Sequence, residues 1–329
     1  MTSDPSPFLV TCVGVEHDLE LLPHFLDHYT ALGIRPDRIR PILNAQDPES
    51  DALRRATEML AERGIPVAEV WIAPYTSGDM WQMRRHVQSR DVPHDAWMIS
   101  ADVDEMHEYP DTLGAVLDWC DRNRVNCVQG PLIDRLAADG TLAPVRAETP
   151  LFHQFPVAAE VMWTLGGRGR HHDRSGTVKV MASKGRILPG RGGHHPQRDT
   201  RGARYLFGAP LAVFPRIERP EFRFDLPLRV HHFHWTENLE TRLRRRLEAR
   251  GVSLAGAEYG AKQLDYLATH GRFDLCAFAT APDLPREDWA GRIARLRRQA
   301  PWWMQVAKAH ARGRRVVGAA RHLKDRMSI

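Results

Sequence analysis

The chain has 329 residues, of which 43% are hydrophobic and 26% charged. That is the balance of an ordinary globular protein, enough for one large domain or two modest ones, and it excludes a collagen, a coiled-coil rod and a disordered chain. The net charge of +5 is uneven: residues 286–329 carry twelve Lys/Arg against three Asp/Glu, a balance of +9, which leaves the preceding 285 residues at −4, so the body is not read as a nucleic-acid binder.

Phe8 to Val15 is a short apolar run rich in β-branched residues and reads as a buried strand. Asp18 then opens a helix whose apolar stripe is Leu19, Leu22, Phe25, Leu26, Tyr29 and Leu32, ended by Gly33. Strands are expected at 38–44, 67–72, 96–102 and 125–129, alternating with helices at 48–63, 79–90 and 111–123. That alternation implies a parallel sheet with helices on its faces. Ligands bind such sheets beyond the carboxyl ends of the strands, which directs attention to Glu16–Asp18, Asn44–Asp47, Tyr75–Asp79 and Asp102–Glu105.

Residues 131–235 change character, with many Gly, Pro, His and Arg and strand-like pieces at 177–182, 206–214 and 228–232. A mixed or antiparallel extension with long loops is expected there. From Asn238 onward the pattern is helical, at 239–250, 256–269 and from Arg286 to the end, with a break at Pro301. No apolar run approaches ~18 residues, so no spanning helix is expected. Met1–Pro7 is short and polar, unlike a signal peptide, and the protein is read as cytoplasmic. Cys12, Cys120, Cys127 and Cys276 form no CxxC pair and read as free thiols.

The richest stretch is DAWMISADVDEMHEYP, residues 95–110. An apolar strand delivers carboxylates at its tip. Asp102 and Asp104 are two apart, so in extended conformation they face one side. Two like charges that close need something positive between them, and a divalent cation bridging to phosphate oxygens is a natural partner. A bare DxD otherwise serves as a solvated acidic turn.

This segment resembles the DxD region of GT-A-fold glycosyltransferases, in the family-2-like branch with a DxDE motif. The resemblance runs over roughly residues 8–235, through Glu16-His17, His28-Tyr29 and Gly33 upstream and Asp134-Arg135, Asp139-Gly140 and VHHFHW (230–235) downstream. Val15 stands where that branch has Asn, and Met106 where it has Phe. The resemblance implies a GT-A-like, mostly parallel α/β sheet flanked by helices over residues 1–235; the helical pattern and the charge of the tail make 236–329 a helical, basic extension. It also implies a nucleotide-diphosphate sugar as donor, an unidentified acceptor (small molecule, glycan or lipid-linked) and Mn²⁺ or Mg²⁺ held by Asp102 and Asp104. Glu16, Asn44, Arg84, Arg85, Asp102 and His195 are the candidate contacts to the donor.

The histidines come in pairs: His171-His172, His194-His195 and His231-His232, with His234 one residue on. Strand alternation puts His232 and His234 on one face and His231 and Phe233 on the other. Enzymes of the resembled fold recruit a late histidine to the metal; His232 is the first candidate and the His194-His195 turn the second. An inverting transferase needs a base. Asp134, expected just after a strand, is the first candidate, ahead of Glu160, Asp173 and the His194-His195 pair, and Glu105 is placed beside the sugar or holding the loop.

Two other readings stay open. The carboxylates and histidines suit a metal-dependent hydrolase or nucleotidyltransferase, although no HExxH or HxxEH spacing is present. Alternatively, a non-catalytic domain binds a membrane or nucleic acid through its basic tail, which also carries Trp289, Trp302 and Trp303. In the transferase reading the same tail offers a peripheral contact to the inner membrane face, or simply caps the sheet.

Overall fold

A computed structural model of the chain describes residues 6–165, 177–197, 200, 202–248 and 254–327. His171, His172 and Asp173 lie outside the described residues.

The protein is α/β, with helices flanking a nine-stranded sheet in the order β3-β2-β1-β4-β8-β6-β9-β5, and β7 pairing with β6. The parallel half is β1 (Phe8–Gly14), β2 (Ile39–Ala45), β3 (Glu69–Ile72) and β4 (Trp97–Ser100). The mixed half holds β5 (Glu105–Glu108), β6 (Cys127–Leu136), β7 (Val157–Ala159), β8 (Val178–Lys184) and β9 (Arg229–His232). β8 joins the halves, antiparallel to both β4 and β6. β6 and β9 run parallel, and β5 runs back along β9. The DxD turn lies between β4 and β5, where the halves meet.

The strands of the first half form where strands were expected; β1, β2 and β4 are buried on both faces and leave no polar alternation to read, whereas β3 is half-exposed. The helices are α1 (Val15–Asp18), α2 (Leu22–Ala31), α3 (Asp51–Glu62), α4 (Ser77–Asp91) and α5 (Leu113–Arg122). The helix expected from Asp18 is two pieces. The Asp18 side chain turns back to accept from the Gly14 backbone N–H at 2.9 Å, and Pro23 starts α2, where a missing N–H costs nothing. Leu22, Phe25, Leu26 and Tyr29 bury the expected stripe. Thr76 caps α4, accepting from the Asp79 N–H.

Three expectations are corrected. The strand expected at 125–129 begins at Cys127 and runs on to Leu136, so Asp134 sits inside it rather than after it. No strand forms over 206–214: Gly208, Pro210 and Pro215 interrupt the ladder, and Leu211–Val213 is a single 3₁₀ turn. The last helix does not break at Pro301.

After the short helices α6 (Leu151–Gln154), α7 (Val161–Leu165) and α8 (Pro220–Phe224) come α9 (Leu239–Glu248), α10 (Leu254–His270) and α11 (Trp289–Met327). Leu239, Leu243 and Leu267 pack with Leu136, Ala159 and Trp235 from the mixed half. Ile293 and Ala300 enter the main core, and Trp289 stacks edge-on to Trp119 at 5.8 Å. The first turns of α11 therefore cap the sheet. Among the described residues no helix is long and apolar enough to cross a membrane.

Candidate functional site

Two clusters share the DxD turn. The first gathers around Asp102. Arg84 of α4 is buried and reaches through the sheet end: its Nη1 donates to Asp102 Oδ1 at 2.5 Å, and its Nη2 to Val10 O, Ser100 Oγ and Ala101 O at 2.8–3.1 Å. Lys179 of β8 donates from Nζ to Asp102 Oδ2 at 3.0 Å and lies 2.6 Å from Glu105 Oε1. Glu105 Oε2 accepts from the Asp102 N–H at 3.2 Å. Both Asp102 oxygens thus face cations that the chain itself supplies. Burial pushes the Asp102 carboxyl up, but Lys179 and Arg84 bring it below its ordinary value. Glu105 is raised, by burial first. Burial opposes the Lys179 charge, yet the two carboxylates hold its pKa above the usual value.

The second cluster gathers around Asp104. The His232 and His234 rings stack 4.9 Å apart at 8°, on one face of the chain as alternation requires. His232 Nε2 and His234 Nδ1 each lie 3.5 Å from Asp104 Oδ2. Behind them, His232 Nδ1 lies 2.9 Å from Asp134 Oδ1, and the Met162 N–H donates to Asp134 Oδ2 at 2.5 Å. A carboxylate at Nδ1 fixes the ring and leaves Nε2 facing Asp104. Burial would lower the His232 pKa, but Asp104 and Asp134 raise it to about 10. Asp104 is raised by burial, but the neighbouring His232 and His234 hold it well below the usual carboxylate range. His234 is lowered to about 3, by burial first and then by the His232 charge.

The donor set could hold a metal ion. Asp104, His232 and His234 offer three ligand atoms within 4.8 Å of one another, as do Asp102, Asp104 and Glu105. Separations of 3.5 Å are long for hydrogen bonds, but donors ~2.1 Å from a shared ion stand roughly that far apart. His234 Nε2, the nitrogen turned away from Asp104, is buried without a partner. In the Asp102 trio, by contrast, Lys179 already supplies a cation.

The other expected site residues are placed as follows. Glu16 accepts from the Gln46 N–H at 2.9 Å and ties α1 to the turn after β2. Asn44 is buried at the end of β2 and donates to Trp71 O and Ala73 O, with its Oδ1 unpartnered. Arg85 is half-buried and donates to Pro189 O at 3.3 Å. His195 is exposed and lies 2.8 Å from Pro196 O in its own loop. Its neighbour His194 turns inward instead, 2.9 Å from Val178 O, and is lowered to about 4 by burial first and by Lys179 next. Gly192, at φ +80°, makes room for that ring, because a Cβ there would fall 2.6 Å from it. Glu160 is locked in a buried ion pair with Arg223.

Lys179 escaped the sequence reading altogether, and His234 was noted only as sharing a face with His232. Asp18, half-buried, also faces the site; burial first and Asp104 next raise it to about 7. The signals available were the Gly-Gly before His194 and the strand character around Lys179, neither of which names a partner.

No family model matches the chain, and no curated protein matches it. Among solved structures, it is similar to S. aureus TarS residues 1–349, at 11% identity over 81% of this chain and 74% of that one, with a TM-score of 0.32. A second TarS structure aligns at 10% identity over 82% of this chain and 44% of that one, TM-score 0.30. A UDP-glucose pyrophosphorylase from Acinetobacter baumanii aligns at 10% over 79% and 99%, TM-score 0.28.

Proposed function

We propose that the chain is a metal-dependent glycosyltransferase using a nucleotide-diphosphate sugar. The observation that carries this reading is the Asp104–His232–His234 set, with Asp134 behind His232, placed beyond the carboxyl ends of β1, β4 and β9. Asp104, His232 and His234 would hold the ion, and two imidazoles favour Mn²⁺ over Mg²⁺. When bound, the ion neutralises the diphosphate as the glycosidic bond breaks.

The remaining residues are assigned by what their atoms are free to do. Asp134 has both oxygens engaged, so it positions His232 rather than taking a proton from the acceptor. Arg84 and Lys179 fix Asp102 at the tip of β4. Both terminal nitrogens of Arg84 are occupied, so Arg85 is the better contact for the diphosphate. Glu105 anchors Lys179. Glu16 and Asn44 shape the floor between β1 and β2, and His195 stands at the rim. The reading carries with it a cytoplasmic location and an unidentified acceptor. A peripheral membrane contact through the basic tail would suit a lipid-linked one.

The test is calorimetric titration of UDP, GDP, CDP and dTDP, with and without Mn²⁺, on wild type and Asp104→Asn. Metal-dependent binding of one nucleotide, lost in the variant, is the expected result. No binding by folded protein overturns the transferase reading. Release of pyrophosphate from a nucleoside triphosphate and a sugar 1-phosphate, or of inorganic phosphate from a phosphate ester, would instead support the nucleotidyltransferase or the metal-dependent hydrolase.

A further inference from the structure

The face of the sheet opposite Asp134 and His232 carries a second concentration of charge. Arg135 follows Asp134 on β6 and His231 precedes His232 on β9, so both point away from the metal-ligand set. Arg229 and Glu108 are register partners on β9 and β5. His231 Nε2 lies 2.8 Å from Glu108 Oε2, and Arg286 Nη2 donates to Glu108 Oε1 at 2.9 Å. Arg229 donates to the carbonyls of Pro282, Phe224 and Asp283.

Arg135 is different. Its guanidinium lies 4.9 Å over the Phe152 ring, and among the described residues it has no hydrogen-bond or ion-pair partner. The same ring meets His231 edge-on at 5.1 Å. Arg135 Nε, Arg229 Nε and His231 Nδ1 are all buried without partners, although Arg229 and His231 are only 2% and 4% exposed. Largely buried guanidiniums are ordinarily paired. Here two, Arg135 and Arg229, share Glu108 with His231 and the exposed Arg286, which already occupy it; among the described residues the other carboxylate felt at the cluster, Asp283, acts on Arg229. Arg286 Nη1 donates to Tyr109 O at 2.7 Å, so of the three arginines it is Arg135 whose fork is left over, along with positive charge. Arg286 is 55% exposed on its side chain, which opens the cluster to solvent.

We propose that Arg135, with Arg286 beside it at the solvent edge, Arg229 adding its charge from below, and His231 and Phe152 as walls, forms a binding site for a phosphate group, separate from the Asp104 cluster. Planar guanidinium forks match tetrahedral oxyanions in geometry as well as charge. The site does not depend on the transferase reading: it rests on the charge left unpaired on this face.

The experiment is a titration of inorganic phosphate into the full chain in phosphate-free buffer with EDTA, read by calorimetry and by the rise in melting temperature. Wild type should bind. Arg135→Met should weaken binding by roughly tenfold or more, and Arg286→Ala by roughly threefold. Asp104→Asn should leave phosphate affinity unchanged. Arg286 is exposed, so its variant decides the matter if Arg135→Met fails to fold. Absence of phosphate binding by wild type overturns the proposal, as does binding that survives both arginine variants or disappears in Asp104→Asn.

Discussion

Asp102 and Asp104 stand two residues apart in one turn, yet the fold gives them opposite surroundings. Asp102 meets two fixed cations, Arg84 and Lys179, and both its oxygens are committed. Asp104 meets two imidazoles at 3.5 Å, whose charge depends on whether a proton or a metal occupies the space between. A guanidinium and an ammonium are permanent partners; an imidazole exchanges its proton for an ion. The DxD turn is thus a rigid half joined to an exchangeable half.

The largest expected effect comes from breaking the rigid half. Lys179→Met leaves Glu105 and one Asp102 oxygen buried without their cation. Removing one member of a buried pair costs about 3–5 kcal/mol, to be measured by urea unfolding. Lys179→Met combined with Glu105→Gln should recover much of that loss, since no bare charge then remains. A loss below about 1 kcal/mol would show that Lys179 is not needed to hold the turn. The same variant sharpens the contrast: with Lys179 gone, Asp102, Asp104 and Glu105 should take up Mn²⁺, adding a second equivalent by calorimetry.

An intermediate effect is expected in the exchangeable half. Asp134→Asn keeps the shape behind His232 but weakens the carboxylate hold on its Nδ1. Loss of such an outer partner lowers metal affinity about 10–100-fold. Mn²⁺ titration reads this directly. If the affinity is unchanged, Asp134 does not position the ligand, and its strand interior is structural only.

How much of this could be read in advance follows the range of the contacts. The strands of the parallel half announce themselves as local apolar runs. The shared face of His232 and His234 follows from alternation within a single short segment. Lys179 could not be found that way. It lies 77 residues from Asp102, and only the insertion of β8 between β4 and β6 brings it there. Arg84 was legible as a basic residue on the helix before the turn, but not as one already used by three further acceptors. Which member of the His194-His195 pair turns inward is decided by the left-handed glycine at 192, a backbone property that a pair of letters does not show.

The smallest effect connects the rigid half to pH. His194 is held to about 4 by burial first and by Lys179 next, against about 6.5 for the unfolded chain. Between those values the unfolded state binds a proton that the folded state refuses. Stability therefore rises with pH through that window and falls on acidification from 6.5 toward 4. One such group contributes at most about 1.4 kcal/mol per pH unit. His28, also lowered to about 4 by burial, adds to the slope from the β5 edge of the sheet. His194→Gln should remove one histidine's share and leave that of His28. Lys179→Met should remove only part of it, because burial remains while the neighbouring cation is lost. Urea midpoints measured from pH 4 to pH 7 compare the three proteins. Equal slopes in wild type and His194→Gln would mean that His194 titrates normally, and that the Lys179 charge does not reach it.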